Sequence, residues 1–233
     1  MPAVIRDHIR ACLSIDLGQS IRDTDFAVFD TETTGLRAHR GDRIVSISAV
    51  LLRSYRIDLS MSFHTLVNPD RDIPSHAARV HGILQGMVEG KPTLEEVLPK
   101  FVDYVGRSVL VGHHVWLDMT FLNREMKRLY GVSMQNVVLD TAILDQAFMG
   151  MGIHAVPKEV AKADTRLAGL TERYGIANEE RHSSFSDALA TAQIFQKMIK
   201  QAERCGALTL KDLLRLAYHP PSIDAHRQDG ATL

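Results

Sequence analysis

The stretch that most constrains this chain is FAVFDTETTGL, residues 26–36, in which four apolar residues run directly into two acids spaced two apart. A short apolar run bounded by turn signals marks a buried strand, so Asp25 to Thr31 reads as one. Successive side chains of a strand point to opposite faces, so Asp30 and Glu32 share a face and can share a cation. Thr33-Thr34-Gly35 then turns the chain, leaving both carboxylates at the strand end, facing solvent. Taken alone, such a pair reads in most proteins as a solvated strand terminus. Further acids in matching settings are what would make it a site.

Downstream, Arg43 to Arg53 reads as a second strand with period-two alternation and Met61 to Val67 as a third, ended by Asn68-Pro69-Asp70. Three strands with short connections suggest an antiparallel meander. Helices and strands then alternate. A short helical piece covers Ser75 to His81, and a helix from Thr93 to Val105 opens with a Thr93/Glu96 capping box. A strand at Ser108 to Gly112, a helix at Trp116 to Tyr130 stopped by Gly131, and a strand at Val137 to Thr141 follow. Beyond a linker at Met149 to Asp164 come a helix at Leu167 to Tyr174 and a long one at Phe185 to Arg204. This half reads as parallel crossover units.

A chain of 233 residues suits one α/β domain with modest extensions. We expect a core domain at 24–206, an N-terminal helical extension at 1–23 built on the helix Ala3 to Ile15, and a C-terminal tail at 207–233. In that tail Thr209 to Tyr218 adds a short helix and His219-Pro220-Pro221 opens a frayed end.

Formal net charge is −1, so no global positive field draws the chain onto a polyanion, and such contact must be local or carried by bound cations. Cys12 and Cys205 lie far apart and outside any zinc spacing, which argues against a disulfide framework and fits a reducing cytoplasm. Arg6, Asp7 and Arg10 interrupt the N-terminal apolar stripe as no signal-peptide core would, and no window approaches the roughly 18 apolar residues a membrane span needs.

Two more acids recur in suggestive settings. A strand and turn, Ser108 to His114, deliver Asp118 near a helix start, and His182-Ser183-Ser184-Phe185-Ser186-Asp187 enters the last helix. The plainer readings are a helix-dipole role for Asp118, and a serine N-cap with Asp187 in the first turn. Hard ions such as Mg²⁺ take oxygen ligands, so three or four converging carboxylates suit a two-ion cage around a phosphate. Histidine ordinarily titrates near neutrality, so His182 suits a general base beside the attacking water.

Six blocks then occur in order: FAVFDTETTGL, RIVSISAV, VHGILQGMVEGKPTLEEVLPKF, LVGHHVWLDMTFLNREM, VVLDTAILDQ and RHSSFSDALATAQIF. Over about residues 24 to 203 the chain resembles the DEDD exonuclease superfamily, in particular its histidine-containing DnaQ-like (DEDDh) branch, which includes the proofreading epsilon subunit of bacterial DNA polymerase III. The resemblance implies an α/β, ribonuclease-H-like fold whose mixed central sheet, an antiparallel meander then parallel strands, is flanked by helices. It implies hydrolysis in the 3′-to-5′ direction to nucleoside 5′-monophosphates with two divalent metal ions, Mg²⁺, for which Mn²⁺ substitutes.

Carried over residue by residue, Asp30, Glu32, Asp118 and Asp187 are the metal carboxylates, with Asp30 bridging both ions, and His182 is the general base. Thr33, Thr34 and Leu36 line the pocket for the terminal nucleotide, and His81 approaches its sugar and base. The chain departs from the pattern at His114, where asparagine is common, at Leu117, where phenylalanine is common, and at Ser183 to Ser186. A structural hydrogen bond is expected of His114.

Lys158, Lys162, Arg166 and Arg173 read as a solvated helix face, and Trp116 is expected to pack beside Asp118. His64, His76, His154 and His219 fall in no ligand spacing. The leading function is an exonuclease on DNA 3′ ends, single-stranded or frayed, of proofreading or repair type. An RNA 3′-end trimming enzyme and a polymerase-tethering scaffold are the alternatives, although no acid of the set is degenerate. Docking of a polymerase or of a second copy is left open, and no membrane is expected.

Overall fold

The computed structural model describes residues 1–153, 164–177 and 183–219. After α1 (Ala3–Leu13), β1 (Phe26–Thr33) pairs antiparallel with β2 (Ile44–Arg53), which pairs antiparallel with β3 (Arg56–Leu66). The expected meander is present, but its third strand begins at Arg56 rather than Met61. Ser54 and Tyr55, both at positive φ, reverse the chain in a two-residue hairpin, and that sequence carries none of the usual Asn-Gly signal.

Next come α2 (Ser75–His81), α3 (Gln85–Val88) and α4 (Leu94–Val105), whose first turn is closed by Glu96 accepting the N–H of Thr93 at 2.7 Å. Then β4 (Val109–Gly112) runs parallel to β1, α5 (Trp116–Tyr130) crosses over, and β5 (Val138–Asp140) runs parallel to β4. The chain continues with α6 (Thr141–Gly150), α7 (Leu167–Tyr174), α8 (Ser184–Arg204) and α9 (Leu210–Tyr218). The sequence did not reveal α6. It is capped by Asp140, whose carboxylate accepts from the Ala142 N–H at 2.8 Å, and it follows β5 without a loop.

The sheet order is β3-β2-β1-β4-β5, so β1 is central and needs cover on both faces. Phe26 and Val28 join Val50, Val109 and Val111 under Phe148 of α6 and Ile194, Phe195 and Met198 of α8. Ala27 and Phe29 join Ile47, Leu51 and Leu110 under Phe101 of α4, Leu122 of α5 and Ile5 of α1. The Phe26 and Phe195 rings meet edge-on at 4.9 Å, a geometry worth about 0.5–1.5 kcal/mol beyond area burial. Because the side-chain period is two, this packing fixes the facing of the next residues as well. A one-residue slip would turn Asp30 and Glu32 away from α8.

Candidate active site

Asp30 and Glu32 continue the Phe26/Val28 row and so face α8 at the open end of β1. The start of α8 is docked there by three serines. Ser184 Oγ lies 2.7 Å from Ser46 Oγ and 2.7 Å from Ser48 Oγ, and these β2 residues are the sheet partners of Glu32 and Asp30. The dock brings the first turn of α8, and with it Asp187, to the pair. Asp30, Glu32 and Asp187 each offer an oxygen, and these oxygens lie within 4.8 Å of one another. The serine-cap reading of this loop does not hold, since the N-cap residue Ser183 makes no side-chain cap bond.

Asp118 arrives from the opposite face of the sheet. A Cβ on Gly112 would sit 2.6 Å from the Val115 side chain, so glycine is what lets β4 end this close to the start of α5. The Asp140 carboxylate braces the turn by accepting the N–H groups of His114 at 3.1 Å and Val115 at 3.0 Å. Asp118 Oδ1 then accepts the Thr31 N–H at 2.9 Å and the Thr31 hydroxyl at 2.5 Å. Thr31 lies between the two acids of β1 and points to the other face. Asp118 is thus held beside the three-acid group rather than within it.

Desolvation pushes the Asp30 carboxyl well above the usual range, and the charges of Asp118, Glu32 and Asp187 push it further. Glu32 is raised to about 8, by desolvation first and then by Asp187 and Asp118. Desolvation also raises Asp118, against the opposing effect of its bonds from Thr31. The charges that raise Asp30 and Glu32 are those of neighbouring carboxylates, so negative charge is concentrated at this end of β1. A cluster of converging hard oxygen donors fits a divalent ion such as Mg²⁺.

Thr33, Thr34, Leu36 and His81 line a single cavity of about 770 Å³ together with Glu32. The loop that forms its wall is stitched to Asp42, which accepts the Arg37 N–H at 2.9 Å, and a Cβ on Gly35 would lie 2.5 Å from the same carboxylate. Leu36 is 74% exposed and has no core role. His81 is buried, its Nδ1 takes the Ile83 N–H at 3.0 Å, and burial lowers its pKa.

Residues 27–195 match the exonuclease family described as RNase T. The chain belongs to that family. It is 38% identical over 191 residues to a DNA polymerase III subunit epsilon-like protein of Rhodobacter capsulatus, a match covering 81% of this chain and 26% of that protein. It is 32% identical over 189 residues to DNA polymerase III subunit epsilon of Aquifex aeolicus, covering 81% and 87%. The chain spans about a quarter or less of the length of the first curated relatives it matches, from 26% down to 12%. The solved structure of Exonuclease X in complex with 5′-overhanging duplex DNA superposes with a TM-score of 0.61 at 21% identity, covering 82% of this chain and 99% of that one. The mixed sheet with its flanking helices is the ribonuclease-H-like fold. Among the described residues no helix is long and apolar enough to cross a membrane.

Several expectations for this exonuclease-family chain are corrected. Trp116 does not pack beside Asp118 but is 65% exposed. Arg173 does not lie on a solvated face; it is buried and ion-paired with Asp145, which also accepts the Tyr174 hydroxyl at 3.0 Å. Arg166 is exposed and pairs with Asp164 at 2.8 Å. His114 makes the expected structural bond, from Nε2 to the Thr165 carbonyl at 3.0 Å. His182, His154, Lys158 and Lys162 lie outside the described residues. Ser46, Ser48, Ser184, Thr31 and Asp140 were missed as supports of the site. Two serines on alternate positions of an otherwise apolar strand, facing as the acids do, were the available signal.

Proposed function

We propose that the chain is a metal-dependent 3′-to-5′ exonuclease that trims DNA ends to nucleoside 5′-monophosphates. The observation that carries this reading is the convergence of Asp30, Glu32 and Asp187 beside the cavity that holds Thr33, Thr34, Leu36 and His81. Asp30, Glu32 and Asp187 would hold the ions, with Asp118 completing the set. Bound divalent ions would neutralise the scissile phosphate and activate the attacking water.

The protein's own part is positional. Thr33 and Thr34 fix the terminal nucleotide, and exposed Leu36 wedges against its base. His182, five residues before Asp187, takes the proton from the water. The DNA polymerase III names of the relatives and the DNA-bound Exonuclease X structure favour DNA over RNA.

The test is a titration of Mg²⁺ and Mn²⁺ with 3′-labelled single-stranded DNA, duplex DNA with mismatched ends, and RNA. Mononucleotide release from DNA is expected, lost in EDTA and in Asp30→Ala, with His182→Ala impaired at neutral pH and partly restored at high pH. Persistent release by Asp30→Ala would overturn the mechanism. An unaffected His182→Ala would remove the general base from it, and faster release from RNA would favour the trimming alternative.

A further inference from the structure

The chain contains one tryptophan, and it opens α5 two residues ahead of Asp118. Trp116 is 65% exposed, whereas Val115, Asp118 and Met119 around it are 4%, 7% and 9% exposed. Each helix residue rotates by about 100°, so a residue two before Asp118 points roughly 200° away from it. Asp118 turns inward to Thr31, and Trp116 therefore turns outward at the rim. Six of the eight phenylalanines, Phe26, Phe29, Phe101, Phe121, Phe148 and Phe195, are buried and none is exposed, so this large apolar ring in water stands apart from them.

The sheet order says which rim this is. On the β2 side of β1 lie the Thr33–Asp42 loop and the cavity with Leu36 and His81; on the other side lies β4, from whose end α5 begins. The carboxylates at the end of β1 stand between the two. A strand that placed its last nucleotide in the cavity and its last phosphodiester at the carboxylates would have the β4 side, where α5 begins, open to its preceding nucleotides.

We infer that Trp116 is a substrate-binding residue, a platform on which the base of an unpaired nucleotide upstream of the scissile bond stacks; this rests on the exonuclease reading above. Every base has a π-face, so such a platform tolerates sequence. A base still paired and stacked in a duplex has no free face to offer, so the platform selects single-stranded or frayed ends.

Because Trp116 is the sole tryptophan, tryptophan emission excited selectively over the five tyrosines of the full chain reports on it alone. The experiment titrates the protein, with Ca²⁺ replacing Mg²⁺, with an oligothymidylate of about eight nucleotides, within the usual site size of single-strand binders. Anisotropy of the same oligonucleotide, labelled at its 5′ end, measures binding independently. Emission is expected to fall by about half, with the same midpoint as the anisotropy, and to fall less with a blunt duplex.

In Mg²⁺, Trp116→Ala is expected to raise KM for the oligonucleotide about tenfold with a smaller change in kcat, and Trp116→Phe to raise it about twofold, as expected for a stacking contact. Binding with unchanged emission, or an unaltered KM in Trp116→Ala, overturns the inference. So does an emission change that follows protein concentration without DNA, which would assign the surface to a second copy. No mononucleotide release by the unmutated chain overturns instead the exonuclease reading, and the two failures are thereby told apart.

Discussion

Within the eight residues of β1, Phe26 to Phe29 are 0–1% exposed, whereas Asp30 and Glu32, next in the row of Phe26 and Val28, are partly exposed. Their carboxyls are pushed upward by desolvation and by neighbouring carboxylates, Asp118 and Asp187 acting on both. The first half of the strand stabilises the fold through dense packing on both faces. The second half stores repulsion that the fold must hold in place. The contrast explains why the acids sit on a central strand rather than on a loop: carboxylates that repel each other stay converged only if their backbone is fixed by a core they do not contribute to.

The comparison is broken most directly by exchanging charge for shape. Asp30→Asn should cost on the order of a thousandfold or more in mononucleotide release, roughly 4 kcal/mol of barrier. Its melting temperature in EDTA should equal or exceed that of the parent. A variant melting several degrees lower would mean that the charged half also stabilises the fold. Phe29→Ala should do the reverse, lowering unfolding free energy by about 3–5 kcal/mol in a denaturant titration while the folded fraction retains its activity. Ser184→Ala lies between the two halves. Loss of its bonds to Ser46 and Ser48 should cost about 1 kcal/mol of stability, and the loosened α8 should reduce activity about 10- to 100-fold, read by the same two assays.

The sequence revealed the two halves of β1 because both signals are local: an unbroken apolar run, then a period-two acid pair, then a turn. It revealed Asp118 and Asp187 through helix starts, which are also local. It did not reveal what holds them. The Ser184 bonds to Ser46 and Ser48 join residues 138 and 136 apart, and the Arg173–Asp145 pair crosses from α7 to α6. Partners that distant leave no periodicity to read. The same holds for Trp116, whose helical phase was visible but whose outward side could be decided only once Asp118 was seen bonded to Thr31. The Ser54-Tyr55 hairpin escaped for a different reason, since its positive φ values fall on residues that seldom adopt them.

The smallest expected effect is also the most specific to the charged half. In the metal-free protein Glu32 titrates near 8 instead of its ordinary 4.5, so between these values the folded state holds a proton that the unfolded chain has released. Stability contributed by that proton is present at low pH and is lost as pH rises through this window. Glu32→Gln keeps the shape of the side chain and removes the charge. In EDTA its melting temperature should therefore match that of the parent near pH 5 and exceed it near pH 8 by about 2–4 °C, the shift that accompanies roughly 1 kcal/mol in a chain of this size. Solvent in the open cleft screens the repulsion and keeps the difference this small. Saturating Mg²⁺ should close the gap by raising the parent more than the variant, because an ion among Asp30, Glu32 and Asp187 relieves the repulsion that the substitution removes. A gap that narrows toward pH 8, or one that Mg²⁺ widens, would show that Glu32 is not under the strain that separates the two halves of β1.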